Sequence, residues 1–569
     1  MRGGVASTYR IVEAAQCIDD SGQSAKNRSD AHVRLRAVTH PYFVEEFTPE
    51  ERAVLERHFT NVDRPVFAIV NLPEIVKGAL FARYSRTKKS LRRLFLDEFY
   101  DGESGAPIDE VGAAKAEELY DRIFIEYGDD SVAQLGGAHV AVEQCSNVLT
   151  KIIERGRLAG YLEHSTRYVP YDDRPGGRWR YYEEPAIAAS RHGPAYRETM
   201  DGIFELYVSS VEPTVAAFGK RFPKTPDDPD RVYTATIRAK ALDALRGMLP
   251  ASTVSNLGVY AAGQAYEMML FRLLASPLDE AQAVGQMILE ELRKVIPAFL
   301  VRVDQPNRGG EWIEHLRSTR ERMRSLAGEF LADEEPDPAP LVRLTAWEPD
   351  ADETLVAAML YPYSDLPEER LLELARKMSV EERLRVLRTY VGERRNRRHK
   401  PGRAFERVWY RFDVLGDYGG FRDLQRHRML TMEWQDLSSK HGYDIPEEAE
   451  EMGFAPAFRE AADRSAELWE RVHPDLPDQA SYTVCMAYRI RYVMQMNLRE
   501  AFHLIELRSS PQGHPAYRKV AHEMYRQIAE VAGHRTVAEL MGYVDLGSVD
   551  LERLEAERRA ERKRQEKAK

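Results

Sequence analysis

Cysteine is scarce in this sequence, with only Cys17, Cys145 and Cys485 among 569 residues. Their spacing forms no pair, so we expect neither a disulfide framework nor a cysteine-based zinc site, and we predict no metal. No apolar run reaches the roughly 18 residues that a membrane-spanning helix needs, and the N-terminus lacks the apolar core of a secretory signal. These absences predict a protein of the reducing cytoplasm without a membrane partner.

An excess of positive charge is also missing, because 81 lysines and arginines face 92 acidic residues and the net charge is -11. A general nucleic-acid binder is usually basic, so we expect no nucleic-acid partner. The basic run 394–400 is compatible with RNA binding when taken alone, but the acidic whole argues against it. Arginine clusters can still bind small anions, since net charge says little about a pocket.

Composition divides the chain into five segments. Residues 1–35 have weak periodicity and are predicted to be mostly disordered. A first domain is expected over 36–330 and a second over 342–548, with a linker at 331–341 where alternating prolines oppose a helix. Residues 549–569 are predicted to form a charged, solvated helical tail.

Local signals predict the first ordered helix near residue 48. Thr48 is a capping residue, Pro49 suits the first helical turn, and Glu50 and Glu51 favour the positive end of the helix dipole. We therefore expect a helix to begin at this point.

The two domains share a layout, which indicates an internal duplication. In the second half, the alternation over 408–414 predicts a half-buried strand, the glycines of 416–420 predict a turn, and 421–428 is helix-like. The first half repeats this order, with Arg155-Gly156-Arg157 where the second half has Arg426-His427-Arg428. It also has about 35 extra residues after Tyr168, which we interpret as an insertion loop.

Holding arginines this close together in a folded structure is unfavourable unless an anion or a partner compensates their charge. Arginine forks match phosphate oxygens in bidentate fashion and stay charged at any working pH. The repeated triplets therefore predict phosphate-bearing ligands.

These motifs resemble the flavin-dependent thymidylate synthases, whose signature is Arg-His-Arg followed by a serine and an Arg-Tyr pair. The resemblance implies two tandem copies of that family's α/β (α+β), helix-rich fold. It also implies FAD as cofactor, with NADPH and methylenetetrahydrofolate as co-substrates. The implied reaction methylates deoxyuridine monophosphate to thymidine monophosphate, without a protein nucleophile.

The resemblance assigns a different role to each half. The second half matches the flavin side at Glu406, Arg426, His427, Arg428, Asn497, Arg499 and His503. The first half matches the nucleotide side at Ser165, Arg167, Tyr168 and Arg246. Arg272 and Arg508 both match an arginine that the family uses on the pyrimidine, so they are the predicted catalytic residues.

Neither half carries the whole set. Gly156 replaces the histidine of the first triplet, Ser438 replaces the arginine that follows the second, and Ser481 stands where the second half should repeat Arg246. The resemblance therefore implies composite sites between unlike halves rather than two equal sites. It further implies a homodimer, in which two chains supply four fold copies.

Other interpretations stay open on the sequence alone. His399 is compatible with a flavin contact or with a basic loop, and Glu163 with acid–base work or with a surface capping role. The chain is also compatible with a degenerate protein that binds flavin or nucleotide without turnover. A third alternative is a flavin enzyme that acts on another pyrimidine.

Overall fold

The computed structural model describes residues 9–12, 42–64, 67–84, 87, 89–100, 134–166, 169–226, 228–334 and 339–547. The described residues form two compact units. Unit 1 takes the described parts of Met1–Ala138 with Ala261–Met268 and Ile288–Gly309, and unit 2 takes the described parts of His139–Tyr260, Met269–Met287 and Gly310–Lys569. Arg167, Tyr168, linker residues 335–338 and the predicted tail 549–569 lie outside the described residues.

Unit 1 begins with strand β1 (Tyr9–Val12), which pairs antiparallel with β2 (Tyr42–Glu45). β1 falls within the segment predicted to be disordered, and the rest of 1–35 lies outside the described residues. Helices α1 (Pro49–His58), α2 (Glu74–Tyr84) and α3 (Leu91–Leu94) follow. A π-helical turn, Phe95–Phe99, continues α3.

The predicted start of α1 is confirmed. The Thr48 hydroxyl accepts a hydrogen bond from the Glu51 backbone at 3.2 Å, and the Glu51 carboxylate accepts one from the Thr48 backbone at 2.9 Å. This reciprocal pair satisfies two backbone donors that the first helical turn leaves open.

The first half contributes a three-stranded sheet in the order β3-β5-β4 and six helices before its closing helix. In chain order these elements are β3 (Gly137–Ser146), α4 (Asn147–Ile153), β4 (Ala159–Glu163), α5 (Pro185–Ala189), α6 (Gly193–Arg221), α7 (Asp230–Leu245), β5 (Val254–Ala262), α8 (Gly263–Leu274) and α9 (Asp279–Arg293). Helix α10 (Glu311–Phe330) closes this half.

The second half contributes an antiparallel sheet in the order β6-β7-β9-β8. Its elements are β6 (Val342–Trp347), α11 (Ala351–Leu360), α12 (Glu368–Lys377), α13 (Val380–Val391), β7 (Trp409–Asp417), α14 (Tyr418–Gln425), β8 (Leu430–Trp434), α15 (Ala449–Met452), α16 (Ala455–Val472), β9 (Arg489–Asn497), α17 (Leu498–Arg508), α18 (Pro515–Glu530) and α19 (Arg535–Glu539). The order strand–helix–strand, long helix, strand–helix–helix thus recurs in both halves.

The predicted turn at 416–420 is wrong. The Asp417 carboxylate accepts a hydrogen bond from the Gly420 backbone at 2.8 Å and caps α14, so Gly419 and Gly420 lie in the first helical turn, whereas Gly416 belongs to β7. Helix α14 then ends before the triplet, with Arg426 as its C-terminal cap residue. The extra length of the first half is only partly a loop, because α6 has 29 residues and its counterpart α16 has 18.

Within unit 2 the halves meet along a short antiparallel seam. The Ala251 backbone donates to Val484 at 2.8 Å, and the Met486 backbone donates to Leu249 at 2.9 Å. The two hydrogen bonds are equivalent, because Ala251 corresponds to Met486 and Val484 corresponds to Leu249. The seam therefore lies on a local pseudo-twofold axis. Among the described residues, no helix is both long and apolar enough to cross a membrane.

Candidate functional site

A cavity of about 410 Å³ in unit 2 brings most of the predicted site residues together. Six cationic side chains and two carboxylates face it, so an anionic ligand is electrostatically favoured. We call it the cationic cavity. It is lined by Arg157, Lys400, Glu406, Arg426, His427, Arg428, Met429, Asn497, Arg499, Glu500, His503, Leu507 and Arg508.

Two local structures place these side chains. Arg426, His427 and Arg428 lie between the C-terminal end of α14 and the start of β8. Because this segment is neither helix nor strand, the three side chains can point in different directions. On α17, Asn497 caps the N-terminus by accepting from the Glu500 backbone at 2.9 Å. Arg499 and His503 are four residues apart, so they share one face of that helix.

His427 has a defined protonation state. Its Nε2 accepts a hydrogen bond from Arg508 Nε at 3.0 Å, and its Nδ1 lies 2.8 Å from Glu500 Oε1. Because arginine stays protonated, the imidazole proton must sit on Nδ1 and donate to Glu500. Burial lowers the pKa of His427 to about 4, so the ring is neutral at neutral pH.

Glu500 anchors a second histidine as well. His503 Nδ1 lies 3.3 Å from Glu500 Oε2. Burial acts to raise the pKa of Glu500, but the hydrogen bonds from His427 and His503 hold it at about 2. Glu500 is therefore an ionised acceptor between two imidazoles.

The same three side chains have the composition of a metal site, with their ligand atoms within 4.8 Å of one another. The hydrogen bonds do not fit that use. Arg508 occupies the lone pair of His427 Nε2, and the proton on Nδ1 points at Glu500. His427 thus has no lone pair left for a cation, and the cluster orients Arg508 instead.

Glu406 and Arg499 form one rim of the cationic cavity. Arg499 Nη1 lies 3.4 Å from Glu406 Oε1, and Arg499 Nε donates to the Pro401 carbonyl at 2.9 Å. His399 lies outside the lining and is held by Asn396, whose amide is 3.1 Å from His399 Nε2. Its neighbour Lys400 reaches the cavity instead.

The first half also contributes to the cationic cavity. Arg157 lines it and donates to the Thr431 hydroxyl at 3.1 Å. Arg428 donates back to the carbonyls of Arg157, at 3.4 Å, and Ala159. The cavity is therefore composite, with walls from both halves of one chain.

Arg246, predicted on the nucleotide side, is only 4% exposed. Its Nη1 lies 3.7 Å from Asp423 Oδ2, and Arg508 Nη1 lies 3.5 Å from Asp423 Oδ1. Arg426 also forms an ion pair with this carboxylate. Although burial acts to raise it, these three guanidinium groups hold the pKa of Asp423 well below its usual range.

A larger cavity of about 900 Å³ has Arg246 in its lining. Phe218, Phe222 and Phe458 give it an aromatic wall, and Asp243 stands beside Arg246 in its lining. Its charged side chains are largely paired, for example Lys240 with Glu448 and Arg221 with Glu451. We call it the larger cavity.

Arg272 does not face the cationic cavity. Its Nε and Nη2 are buried without a hydrogen-bond partner among the described residues, and burial lowers its pKa. Tyr161 donates to the Gly156 carbonyl at 3.1 Å, and a Cβ at position 156 would lie 2.6 Å from the Tyr161 oxygen. A side chain at position 156 would therefore require Tyr161 to move, and of the two predicted catalytic arginines only Arg508 lines the cationic cavity.

Glu163 is not a surface residue, so the expected capping role is wrong. It accepts hydrogen bonds from Arg422 at 2.8 Å and from Lys151 at 3.2 Å, in the buried contact between the halves. Burial acts to raise the pKa of Glu163, but these two cations hold it at about 2. Ser165 follows on the same strand end, but it lines neither cavity.

Sequence reasoning missed Glu500, Asp423 and Lys400, and it did not assign Arg157, a residue of the first triplet, to the flavin side. Glu500 and His503 are three residues apart on one helical face, a spacing that could have pointed to their contact. Asp423 stands three residues before Arg426, a spacing that also allows a helical ion pair. Arg157 needed knowledge of how the halves pack, which no local pattern provides.

Comparison with known proteins identifies the family. The family model described as "Thymidylate synthase complementing protein" matches residues 79–298 and again 343–533. A "UPF0159 protein" of Chlamydia muridarum is 38% identical over 522 residues, covering 90% of this chain and 98% of the relative. A similarly named protein of Thermoplasma acidophilum is 33% identical over 520 residues, covering 85% of this chain and 98% of the relative.

Among solved structures, the chain is similar to the flavin dependent thymidylate synthase ThyX from Helicobacter pylori, complexed with FAD and dUMP. The identity is 14%, the TM-score is 0.25, and the match covers 33% of this chain and 93% of that one. The family assignment rests on the two matched regions, which together span more than half of the sequence. The chain therefore belongs to the thymidylate synthase complementing protein family and carries two tandem copies of its domain.

Proposed function

We propose that this chain is a flavin-dependent thymidylate synthase. It methylates deoxyuridine monophosphate with methylenetetrahydrofolate and NADPH, at a site composed from both halves. One observation carries the proposal: seven residues chosen for the flavin side, scattered over about a hundred positions, line a single cationic cavity together with Arg157 of the first half.

The side chains of this cavity fit FAD. Its pyrophosphate is an anion, and Arg428 and Arg499 offer guanidinium forks that match phosphate oxygens. Asn497 is fixed by its capping role, so its position does not depend on a ligand. When bound, FAD would supply the hydride chemistry, and the protein would supply position and electric field.

Arg508 is the residue we assign to the pyrimidine. It is held by the neutral His427 on one side and by Asp423 on the other. A fixed guanidinium beside a carbonyl oxygen stabilises negative charge that develops on the ring. His427 has both nitrogens engaged, so its role is to position Arg508 rather than to donate to the flavin.

On the nucleotide side we assign Arg246, Ser165, Arg167 and Tyr168. Arg246 supports this role because Asp423 links it to Arg426 and Arg508 within one charged cluster. We also propose a cytoplasmic homodimer with four fold copies, following the division of motifs between the halves.

The first test is flavin binding by the purified protein. Saturating FAD should give a yellow protein, and Arg499→Gln should weaken FAD affinity at least about tenfold, because a charge-assisted contact is lost. Arg411→Gln is the matched control, since Arg411 is exposed and hydrogen-bonds to Gln495 outside the cavity. A protein that stays colourless under saturating FAD contradicts the proposal.

The second test is turnover. Tritium release from C5-labelled deoxyuridine monophosphate, with NADPH and methylenetetrahydrofolate present, reports the proposed reaction directly. Arg508→Lys keeps the charge but loses the planar fork, so we expect at least about a hundredfold lower release. Flavin binding without release favours the second candidate, a degenerate homologue that binds flavin or nucleotide without synthase turnover. The observation that favours it is that Ser165, assigned to the nucleotide side, lines neither cavity.

A further inference from the structure

Asp423 stands among three arginines that the proposed function assigns to ligands. Its Oδ1 pairs with Arg426 and lies 3.5 Å from Arg508 Nη1, while its Oδ2 lies 3.7 Å from Arg246 Nη1. We call Arg246, Arg426 and Arg508 the arginine trio. The trio therefore already has a counter-anion, supplied by the chain itself.

Asp423 pairs with arginines from the linings of two different cavities. Arg426 and Arg508 line the cationic cavity, and Arg246 lines the larger cavity. The Asp423 side chain is 14% exposed and is held by residues from both linings. Asp423 itself lines neither cavity, but its charge lies beside guanidinium groups that a ligand in either cavity would meet.

A phosphate is poorly matched to three arginines that already hold a carboxylate. Its oxygens are acceptors only, and its charge repels a carboxylate that the arginines keep ionised. An uncharged acceptor is matched better. A pyrimidine carbonyl or a sugar hydroxyl can accept from the guanidinium groups without being repelled by Asp423.

The trio also has donors left over. Arg246 Nη2 and Arg426 Nε are buried and have no hydrogen-bond partner among the described residues. Buried donors without partners are unfavourable, so an incoming oxygen atom would satisfy a need that the protein leaves open. The arrangement thus combines one ionised acceptor with unsatisfied donors.

We propose that Asp423 determines specificity at the trio. It makes the three arginines select an uncharged, hydrogen-bonding part of the substrate and reject a phosphate. This inference rests on the proposed function, because it takes the substrate to be a pyrimidine nucleotide. The phosphate of that nucleotide would then bind away from the arginine trio. The repulsion between Asp423 and a phosphate is the same whatever else the ligand carries.

The first experiment measures binding of inorganic phosphate by titration calorimetry. Asp423→Asn removes the counter-anion, so we expect its dissociation constant to be at least about tenfold lower than that of the wild type. Asp243→Asn is the matched control, because Asp243 lies 3.8 Å from Arg246 and is not paired with Arg426 or Arg508. The control should stay within about threefold of the wild type.

Equal phosphate affinity in wild type and Asp423→Asn overturns the proposal. Thermal unfolding checks that each variant folds, and Asp423→Ser replaces Asp423→Asn in the titration if the latter does not. This experiment uses neither flavin nor nucleotide. Failure of the proposed function, seen as no flavin binding and no tritium release, is therefore distinguishable from failure of the specificity assignment.

The second experiment keeps Asp423 and changes an arginine. Arg246→Gln should weaken the binding of deoxyuridine and of deoxyuridine monophosphate by similar factors, within about threefold of each other, because the lost contact is to their shared uncharged part. A loss for the nucleotide at least about tenfold larger than for the nucleoside would mean that Arg246 holds the phosphate, and it overturns the proposal.

Discussion

At the scale of single residues, the geometry of the cationic cavity depends on the proton of His427. Arg508 fixes that proton on Nδ1, and burial keeps the ring neutral by lowering its pKa to about 4. The sequence could place His427 in the cavity, because the triplet is a short local motif. It could not assign its tautomer, since Glu500 and Arg508 reach it from another helix.

The neutral state of His427 makes unfolding pH-dependent. The folded pKa of about 4 lies below the ordinary value of 6.5, so between these pH values the unfolded chain binds a proton that the folded chain does not. The free energy of unfolding should fall by up to about 3 kcal/mol as the pH drops through this window. His427→Gln keeps one donor and one acceptor, and it should remove that part of the slope in urea unfolding.

The control for this prediction is His399→Gln. His399 is exposed and lies in the loop that precedes the cavity. Its variant should keep the wild-type dependence on pH. A His427→Gln variant with an unchanged slope between about pH 4 and pH 6.5 would show that His427 titrates normally in the folded protein.

At the scale of elements, the sequence predicted identities better than boundaries. The strand expected at 408–414 is β7, Trp409–Asp417, and the helix expected at 421–428 is α14, Tyr418–Gln425. Gly416, Gly419 and Gly420 suggested a turn, because glycine disfavours a helix locally. The Asp417 cap and the burial of α14 against the first half outweigh that preference, and neither is visible in a local window.

Helix α5 begins beside a buried acid, Glu184, which faces the first turn of α9. Burial first, and then the charges of Asp279 and Glu280, raise the pKa of Glu184 to about 8. A folded pKa above the unfolded value means that the folded state holds the extra proton between about pH 4.5 and pH 8. The free energy of unfolding therefore falls as the pH rises through this window, and it is level above it.

Glu184→Gln should abolish this loss. We expect the variant to be more stable than the wild type by about 2 to 4 kcal/mol near pH 8, with little difference near pH 4. Chemical unfolding at both pH values measures it, and the exposed Glu198→Gln serves as the control. A variant less stable than the wild type near pH 8 would mean that Glu184 is ionised and compensated in the folded protein.

At the scale of the whole chain, the duplication is what sequence reasoning captured, and two family matches confirm it. Complementary loss of motifs predicted a division of labour, which stays a prediction for the individual site residues. What the sequence could not supply is the seam between the halves in unit 2. Glu163 and Arg422 lie 259 positions apart, so no local pattern reveals that they pair.

The buried pair of Glu163 and Arg422 predicts a strong mutual dependence of the halves. Glu163→Gln leaves Arg422 buried without its counter-charge and should lower the free energy of unfolding by about 3 to 5 kcal/mol. Arg422→Gln should act similarly, and the double variant should lose at least about 1 kcal/mol less than the two single losses together.

The exposed pair of Arg370 and Glu373 is the control, with losses within about 0.5 kcal/mol. Urea unfolding, followed by circular dichroism and tryptophan fluorescence, measures the wild type, the two single variants, the double variant and the control variants. Additive single losses would show that the carboxylate and the guanidinium group act independently, and the ion pair would then not couple the halves.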